Sequence, residues 1–442
     1  MKNKHKRIVI LIITAVLFII GILQGCVRNN AVLKDEGAKT PLYQAEKTMA
    51  VVVKTNELDL IDLKAKNKIT NLDSGGMFSH PVTSLDKRYI AYLKDAALYV
   101  TTLNGEKSKV LDNALVLSYV WFDNNQLLYS LKSGGIFSYD TEKKASQPYV
   151  KNEFSYENIT IGTDNKIYAE KYRYYKKDSN EYIQDYGVAL FLPDTREEQI
   201  IIRSIPNDDQ QNSLGMYPVI AGISKDSRFV YIFEHPHSGS LAADGLSLAS
   251  YDTKLNKFIE YSKQQIVTLR YSDNISANPE NSEFIALING AGREMNDSKS
   301  LGVLNVITGT FETLLPQGWV AMTPYYSEDG KNILYAASEK IASIQNIGQW
   351  IKAGHSIYKI NSVTKQITQL TNSPNSFDFA PTYINATEII FLRIDSLDNV
   401  SMWKLENGDE TKIIDSLIFY NDQYKTQCYY GHSNNSNYID IK

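Results

Sequence analysis

Only two cysteines, Cys26 and Cys428, occur in 442 residues. Cysteine-ligated metal sites and a disulfide framework are therefore excluded, and apolar burial must hold the fold together. Cys428 itself reads as a small buried hydrophobe in a C-terminal strand. Nucleophile signatures are missing: there is no Gly-x-Ser-x-Gly elbow, and the expectation is that no α/β-hydrolase domain is appended. Phosphate-cradling glycine loops and zinc-protease helices are also absent. Positive charge is not in excess, with 46 basic against 50 acidic side chains and a net charge of −4. Phosphate backbones require a basic footprint, so no nucleic-acid partner is expected. No long Pro/Gly/Ser-rich linker interrupts the chain beyond its N-terminus, and one large domain is the economical reading.

What is present begins with a basic cluster, Lys2, Lys4, Lys6 and Arg7, followed by an apolar run from Ile8 to Leu23. That run is shorter than the roughly 20 residues needed to span a bilayer. It ends in Leu23-Gln24-Gly25-Cys26, which resembles the lipobox of bacterial lipoprotein signal peptides. The resemblance implies cleavage after residue 25 and lipidation of Cys26. Residues 26–48 mix Asn, Lys, Glu, Gly and Pro41 without apolar periodicity and read as a tether. The expected domain occupies 49–442, held at the extracytoplasmic face of the cell membrane by the lipid.

The stretch "PYYSEDGKNILYAA" (324–337) has the form of two strands around a tight turn, with Asp329-Gly330 supplying the turn. Alternation on each side says that one face of each strand is buried. The pattern recurs in degraded form at 81–92, 122–129, 163–168, 223–231, 278–285 and 383–391, giving seven first hairpins. Each is followed by a second hairpin, such as "ALYVTTLNGEKSKVL" from Ala97 or "HSIYKINSVTKQITQL" from His355. An eighth second hairpin, "ELDLIDLKAKNKITNL" from Glu57, precedes them all. Four strands per repeat with turn signals between them mark the blades of a β-propeller.

The Pro-x-x-Ser-x-Asp-Gly-Lys…Tyr pattern followed by Leu-Tyr-x-x-Asp resembles the WD40-like repeat of TolB-type propellers and covers nearly all of the chain after residue 48. The resemblance implies a blade architecture and leaves activity open, because propellers host binders and enzymes alike. TolB has an additional N-terminal α/β domain and no lipid anchor, so its role is not carried over. The expectation is an all-β chain, a single β-propeller of about eight four-stranded blades. Seven remain if the 163–168 repeat is not a blade of its own. The N-terminal unit, 49–72, lacks its innermost strand; the tail segment 416–430 is expected to supply it. Joining the N- and C-terminal strands would close the ring and remove exposed sheet edges.

Asp329 and its counterparts read as turn residues rather than reacting acids. Function is expected in the connections between second and third strands, which swell in four successive repeats: 171–186, 234–245, 289–299 and 338–355. Equivalent connections emerge on one face of the disc, and long loops on a rigid scaffold are where recognition usually lives. Candidate ligand-binding residues on this face are Tyr172, Arg173, Tyr174, Tyr175 and Tyr182, with Arg293 and Trp350 from later inserts. Tyrosines join apolar area to a hydrogen-bonding tip and suit saccharide or protein surfaces. Isoleucines 341, 344, 347 and 351 recur near helical spacing and predict a short helix in the fourth insert.

His235 and His237 can place two imidazoles on one metal, with Glu234 as an oxygen ligand and His355 or His80 approaching in space. No third strong ligand stands nearby in sequence, so no metal or other cofactor is the expectation. The leading reading is a monomeric binding or scaffold lipoprotein with no catalysis of its own. The alternative is a metal-dependent hydrolase or lyase acting on saccharides or lactones at the propeller funnel.

Overall fold

The computed structural model describes residues 47–442 apart from 66, 113–114, 209, 211–213, 269–271, 293–298, 341–353, 373, 397–398 and 419–436. Among the described residues the regular secondary structure is almost all antiparallel strand, and the strands fall into seven sheets. Six have the four-strand path of one blade, taken in chain order as 78–111, 116–150, 155–203, 216–260, 275–313 and 319–369; the 216–260 sheet carries one further short strand. The seventh sheet has eight strands. One half comprises four strands from 377–417, and the other has Met49–Lys54, Glu57–Asp62, Lys68–Ser74 and Ile439–Ile441. A single register pair, Lys54 with Leu417, joins the halves. This succession of four-stranded antiparallel units is a multi-blade β-propeller architecture.

All seven first hairpins read from the sequence are paired strands, including the weakest, whose strands Ser155–Ile161 and Ile167–Lys177 run antiparallel. Three of the seven share one turn chemistry. Ser84 Oγ donates to Asp86 at 2.8 Å, Ser224 to Asp226 at 2.7 Å and Ser327 to Asp329 at 2.6 Å. Each serine oxygen also accepts a backbone N–H from the start of the second strand, at Tyr89, Phe229 and Asn332. The residue after each aspartate is left-handed: Lys87 at φ 63°, Ser227 at 58° and Gly330 at 67°. Only Gly330 adopts that conformation without steric cost. These aspartates are therefore occupied in holding turns, as the sequence indicates.

The inner strands carry a second shared device. Their pairing slips at a bulge in six blades, and His80, Asn158, Thr323 and Ala380 have positive φ there. A bulge leaves backbone groups outside the ladder. Proline, which has no N–H, fits such a place, and Pro81, Pro324 and Pro381 follow three of these residues. Backbone N–H groups at or beside the bulge are taken up by the preceding blade. Ile159 donates to Ser118 Oγ at 3.0 Å, Tyr326 to Ser276 Oγ at 3.0 Å and Ala380 to Thr323 Oγ1 at 3.0 Å. The blades are thus tied by directional bonds as well as by apolar packing.

The largest apolar cluster runs from the 275–313 blade to the first strands, uniting Ile288, Met322, Phe379, Phe391 and Val52, all fully buried. Burying such side chains is worth about 1.5–3 kcal/mol each. The strand that completes the N-terminal unit is Ile439–Ile441, paired with Ala50–Val52, and not the 416–430 segment expected from the sequence. Residues 409–417 instead form the outer strand of the 377–417 unit. Thr48 and Met49 N–H groups both donate to Lys442 O, at 2.6 and 2.9 Å. Cys26, Arg293, Trp350, Cys428 and the isoleucines for which a helix is expected in the fourth insert lie outside the described residues.

Candidate functional site

The second-to-third-strand connections of the 155–203 and 216–260 blades form a shared polar and aromatic cluster. In the first of them the strands Ile167–Lys177 and Asn180–Phe191 run on past the sheet as a long two-stranded ribbon, not a loop. Strand alternation sends its residues to two faces. Tyr172, fully buried, donates to Glu170 Oε2 at 2.7 Å, and Tyr174 donates to Glu157 Oε1 at 2.6 Å. Burial, together with the neighbouring carboxylates, raises both phenols well above their usual range. Tyr175 and Tyr182 instead stack on each other across the ribbon, centroids 5.6 Å apart, and stay exposed. Arg173 is half-exposed and paired with Glu153 at 2.7 Å.

The five candidate residues of the ribbon therefore divide by role. Tyr172 and Tyr174 are inward anchors, and Arg173, Tyr175 and Tyr182 are available at the surface. Glu170 is the hub that the sequence did not single out. It accepts from Asn158 Nδ2 at 2.7 Å and from the Ile220 backbone N–H of the next blade at 2.7 Å, besides Tyr172. A lone glutamate in a strand carries little local signal, since two of its three partners lie on another strand and on another blade.

His235 and His237 sit at the end of the strand Phe229–Pro236 and flank Tyr217. The His235 ring stacks on Tyr217 at 4.4 Å, and His237 lies 5.2 Å from the same ring, tilted. Nδ1–H of His235 donates to the Pro236 carbonyl at 2.8 Å. His237 Nδ1 is 3.8 Å from Asp185 Oδ2, a residue of the preceding blade's ribbon. Among the described residues no group of three or more His, Cys, Asp and Glu side chains could hold a metal ion. Glu234, the suggested oxygen ligand, has no described ionic partner; burial and the Glu260 charge push its carboxyl up to about 7. His80 and His355 belong to other blades, and His355 is buried against Phe377.

Successive inserts touch one another. Lys132, in the short connection of the 116–150 blade, pairs with Glu181 of the ribbon at 2.6 Å, and its ammonium lies 4.8 Å from the Tyr174 ring. Asp185 of the ribbon meets His237 of the next insert. That insert contains the one-turn helix Gly239–Ala243, and its Asp244 carbonyl accepts the Gly292 N–H of the following insert at 2.6 Å. Lys299 closes the same insert, donating to the Ala291 and Gly292 carbonyls at 2.9 and 2.6 Å. Four consecutive blades are thereby linked along one face.

No family model matches the chain, and no curated protein matches it in sequence. Solved structures do resemble it. Dipeptidyl peptidase 4 of Porphyromonas gingivalis is 9% identical with a TM-score of 0.53, over 85% of this chain and 62% of that one. A putative TolB from Agrobacterium tumefaciens is 10% identical with a TM-score of 0.34, over 90% of this chain and 99% of that one. An oligogalacturonate lyase in complex with manganese is 12% identical with a TM-score of 0.44, over 76% and 85%. At these identities the likeness concerns the fold alone.

Proposed function

We propose that this chain is a membrane-anchored, extracytoplasmic binding or scaffold lipoprotein. Its propeller, a closed ring of eight four-stranded blades, presents the insert-bearing face to a protein or an envelope saccharide. The observation that carries the reading is the chain of contacts Lys132–Glu181, Asp185–His237 and Asp244–Gly292, which makes one continuous surface from four blades. Such a surface, with Arg173, Tyr175 and Tyr182 outermost, suits recognition more than chemistry. The eight-blade closure is supported by the pairing of Ile439–Ile441 with the N-terminal strand. The anchor rests on the lipobox around Cys26, and stable attachment requires two acyl chains. The protein acts as a monomer and needs no cofactor.

Metabolic labelling with a radioactive fatty acid tests the anchor: wild type takes up label and Cys26→Ser does not. Equal labelling of both would contradict the assignment. Elemental analysis of the purified protein separates binding from the rival metal-dependent hydrolase or lyase. A stoichiometric metal lost on joint His235→Ala and His237→Ala substitution would favour the rival.

A further inference from the structure

A cavity of about 560 Å³ opens among the turns of the 275–313, 319–369 and 377–417 units. It is lined by the turn from Tyr325 to Asn332, by Tyr383 to Ala386, by Glu280 and by Lys359. These are mostly first-to-second-strand turns. Strands of a blade alternate in direction, so such turns lie at the end opposite to the second-to-third-strand inserts. The cavity is therefore separate from the cluster around Tyr174 and His237.

Its walls are two tyrosine rings from neighbouring blades. Tyr325 and Tyr383 stand with centroids 6.3 Å apart and planes inclined by 49°. The ammonium of Lys47 lies 5.4 Å from the Tyr325 ring centroid and donates to Ile441 O at 3.1 Å. The Tyr383 hydroxyl is buried and has no hydrogen-bond partner among the described residues. What Tyr383 offers the cavity is therefore its ring, not its hydroxyl. Asn385 spends its carbonyl oxygen on its own turn, accepting from Thr387 and Glu388 N–H, and that leaves its amide NH₂ as a donor. Lys359 forms no ion pair among the described residues.

The charge around the cavity nearly cancels: Glu280, Glu328 and Asp329 stand against Lys331 and Lys359. A strongly charged ligand would meet groups of its own sign on either choice. A neutral polyol would not, and it can accept from ammonium and amide groups while donating to carboxylates. Flat tyrosine faces suit the apolar faces of pyranose rings. The volume falls within the roughly 300–1,000 Å³ of small-molecule sites. We infer that this cavity is a binding site for a short neutral saccharide, on the face away from the inserts and independent of whatever they recognise.

The test is saturation-transfer-difference NMR on the full-length protein in detergent, with cellobiose, N,N′-diacetylchitobiose, digalacturonate and trialanine as probes. Saturable transfer to a neutral disaccharide is expected, at a Kd in the millimolar range or tighter. Lys359→Ala, which removes a hydrogen-bond donor, and Tyr383→Leu, which removes a ring face, should each weaken it by about tenfold, near 1.4 kcal/mol. Arg173→Ala, on the other face, should leave it unchanged. Unaltered melting temperatures would exclude unfolding as the cause in either variant, and Lys359, at the cavity wall, keeps the test open should the Tyr383 variant misfold. The inference is overturned if neither neutral sugar binds, if digalacturonate or trialanine binds in their place, or if binding ignores both cavity substitutions.

Discussion

The carboxylate of Asp440 accepts a 2.7 Å hydrogen bond from the backbone N–H of Thr83, 357 residues earlier in the chain. Asp440 lies on the strand that completes the N-terminal unit, and Thr83 ends the inner strand of the next blade. The bond has the same form as those from Ile159 to Ser118 and from Ala380 to Thr323, so the last strand is bound into the array like any inner strand.

Removal of residues 437–442 should therefore lower the melting temperature sharply. It exposes Val51 and Ala50, both fully buried, and strips the Thr48 and Met49 N–H groups of their acceptor. Asp440→Ala alone should cost about 1–3 kcal/mol, the usual penalty for a buried donor left unsatisfied. Thermal melts of the two variants check this. A truncated protein that melts like the wild type would mean that the C-terminal strand does not close the ring.

A second prediction concerns Arg393, which clamps Asp378 with two bonds of 2.6 and 2.8 Å and also reaches Glu410 at 2.8 Å. Its guanidinium stacks on Trp403 at 4.6 Å. Asp378 is fully buried, and burial raises its carboxyl despite the arginine. Arg393→Met should destabilise by about 3–5 kcal/mol, because the carboxylate is left buried and unpaired. Joint replacement of Asp378 by Asn should recover part of that loss in urea unfolding.

The third is a pH dependence. The Glu234 carboxyl titrates near 7 in the folded protein against 4.5 as a free side chain. Between those values the folded state holds a proton that the unfolded state has lost, so this group's contribution falls as pH rises from 4.5 to 7. Glu234→Gln should flatten that part of the stability–pH profile, measured by urea unfolding at several pH values. An unchanged profile would show that the carboxylate is solvated.

The hairpins were legible in the sequence because they are local: a Ser-x-Asp turn and alternating apolar residues lie within about a dozen positions. The closing strand was misplaced because Ile439–Ile441 is three residues long and flanked by polar ones, whereas 416–430 carries the stronger apolar pattern. Tyr172 and Tyr174 looked like surface groups. Their burial depends on Glu170 and Glu157, and strand alternation had to be known through the whole ribbon before their direction could be. The Tyr325–Tyr383 cavity was invisible, since its walls come from three separate units.

The account's central claim is that the insert face meets a partner, and site-specific photo-crosslinking in living cells tests it most directly. Benzoylphenylalanine would replace Tyr175 or Tyr182, both exposed on the ribbon, and Leu255, exposed on a turn at the opposite end, as the control. The prediction is a discrete higher-mass adduct from positions 175 and 182 and none from 255, reduced when Arg173 is also changed to Ala. If the ribbon positions give no adduct, or if position 255 gives the same one, the insert face is not the recognition surface.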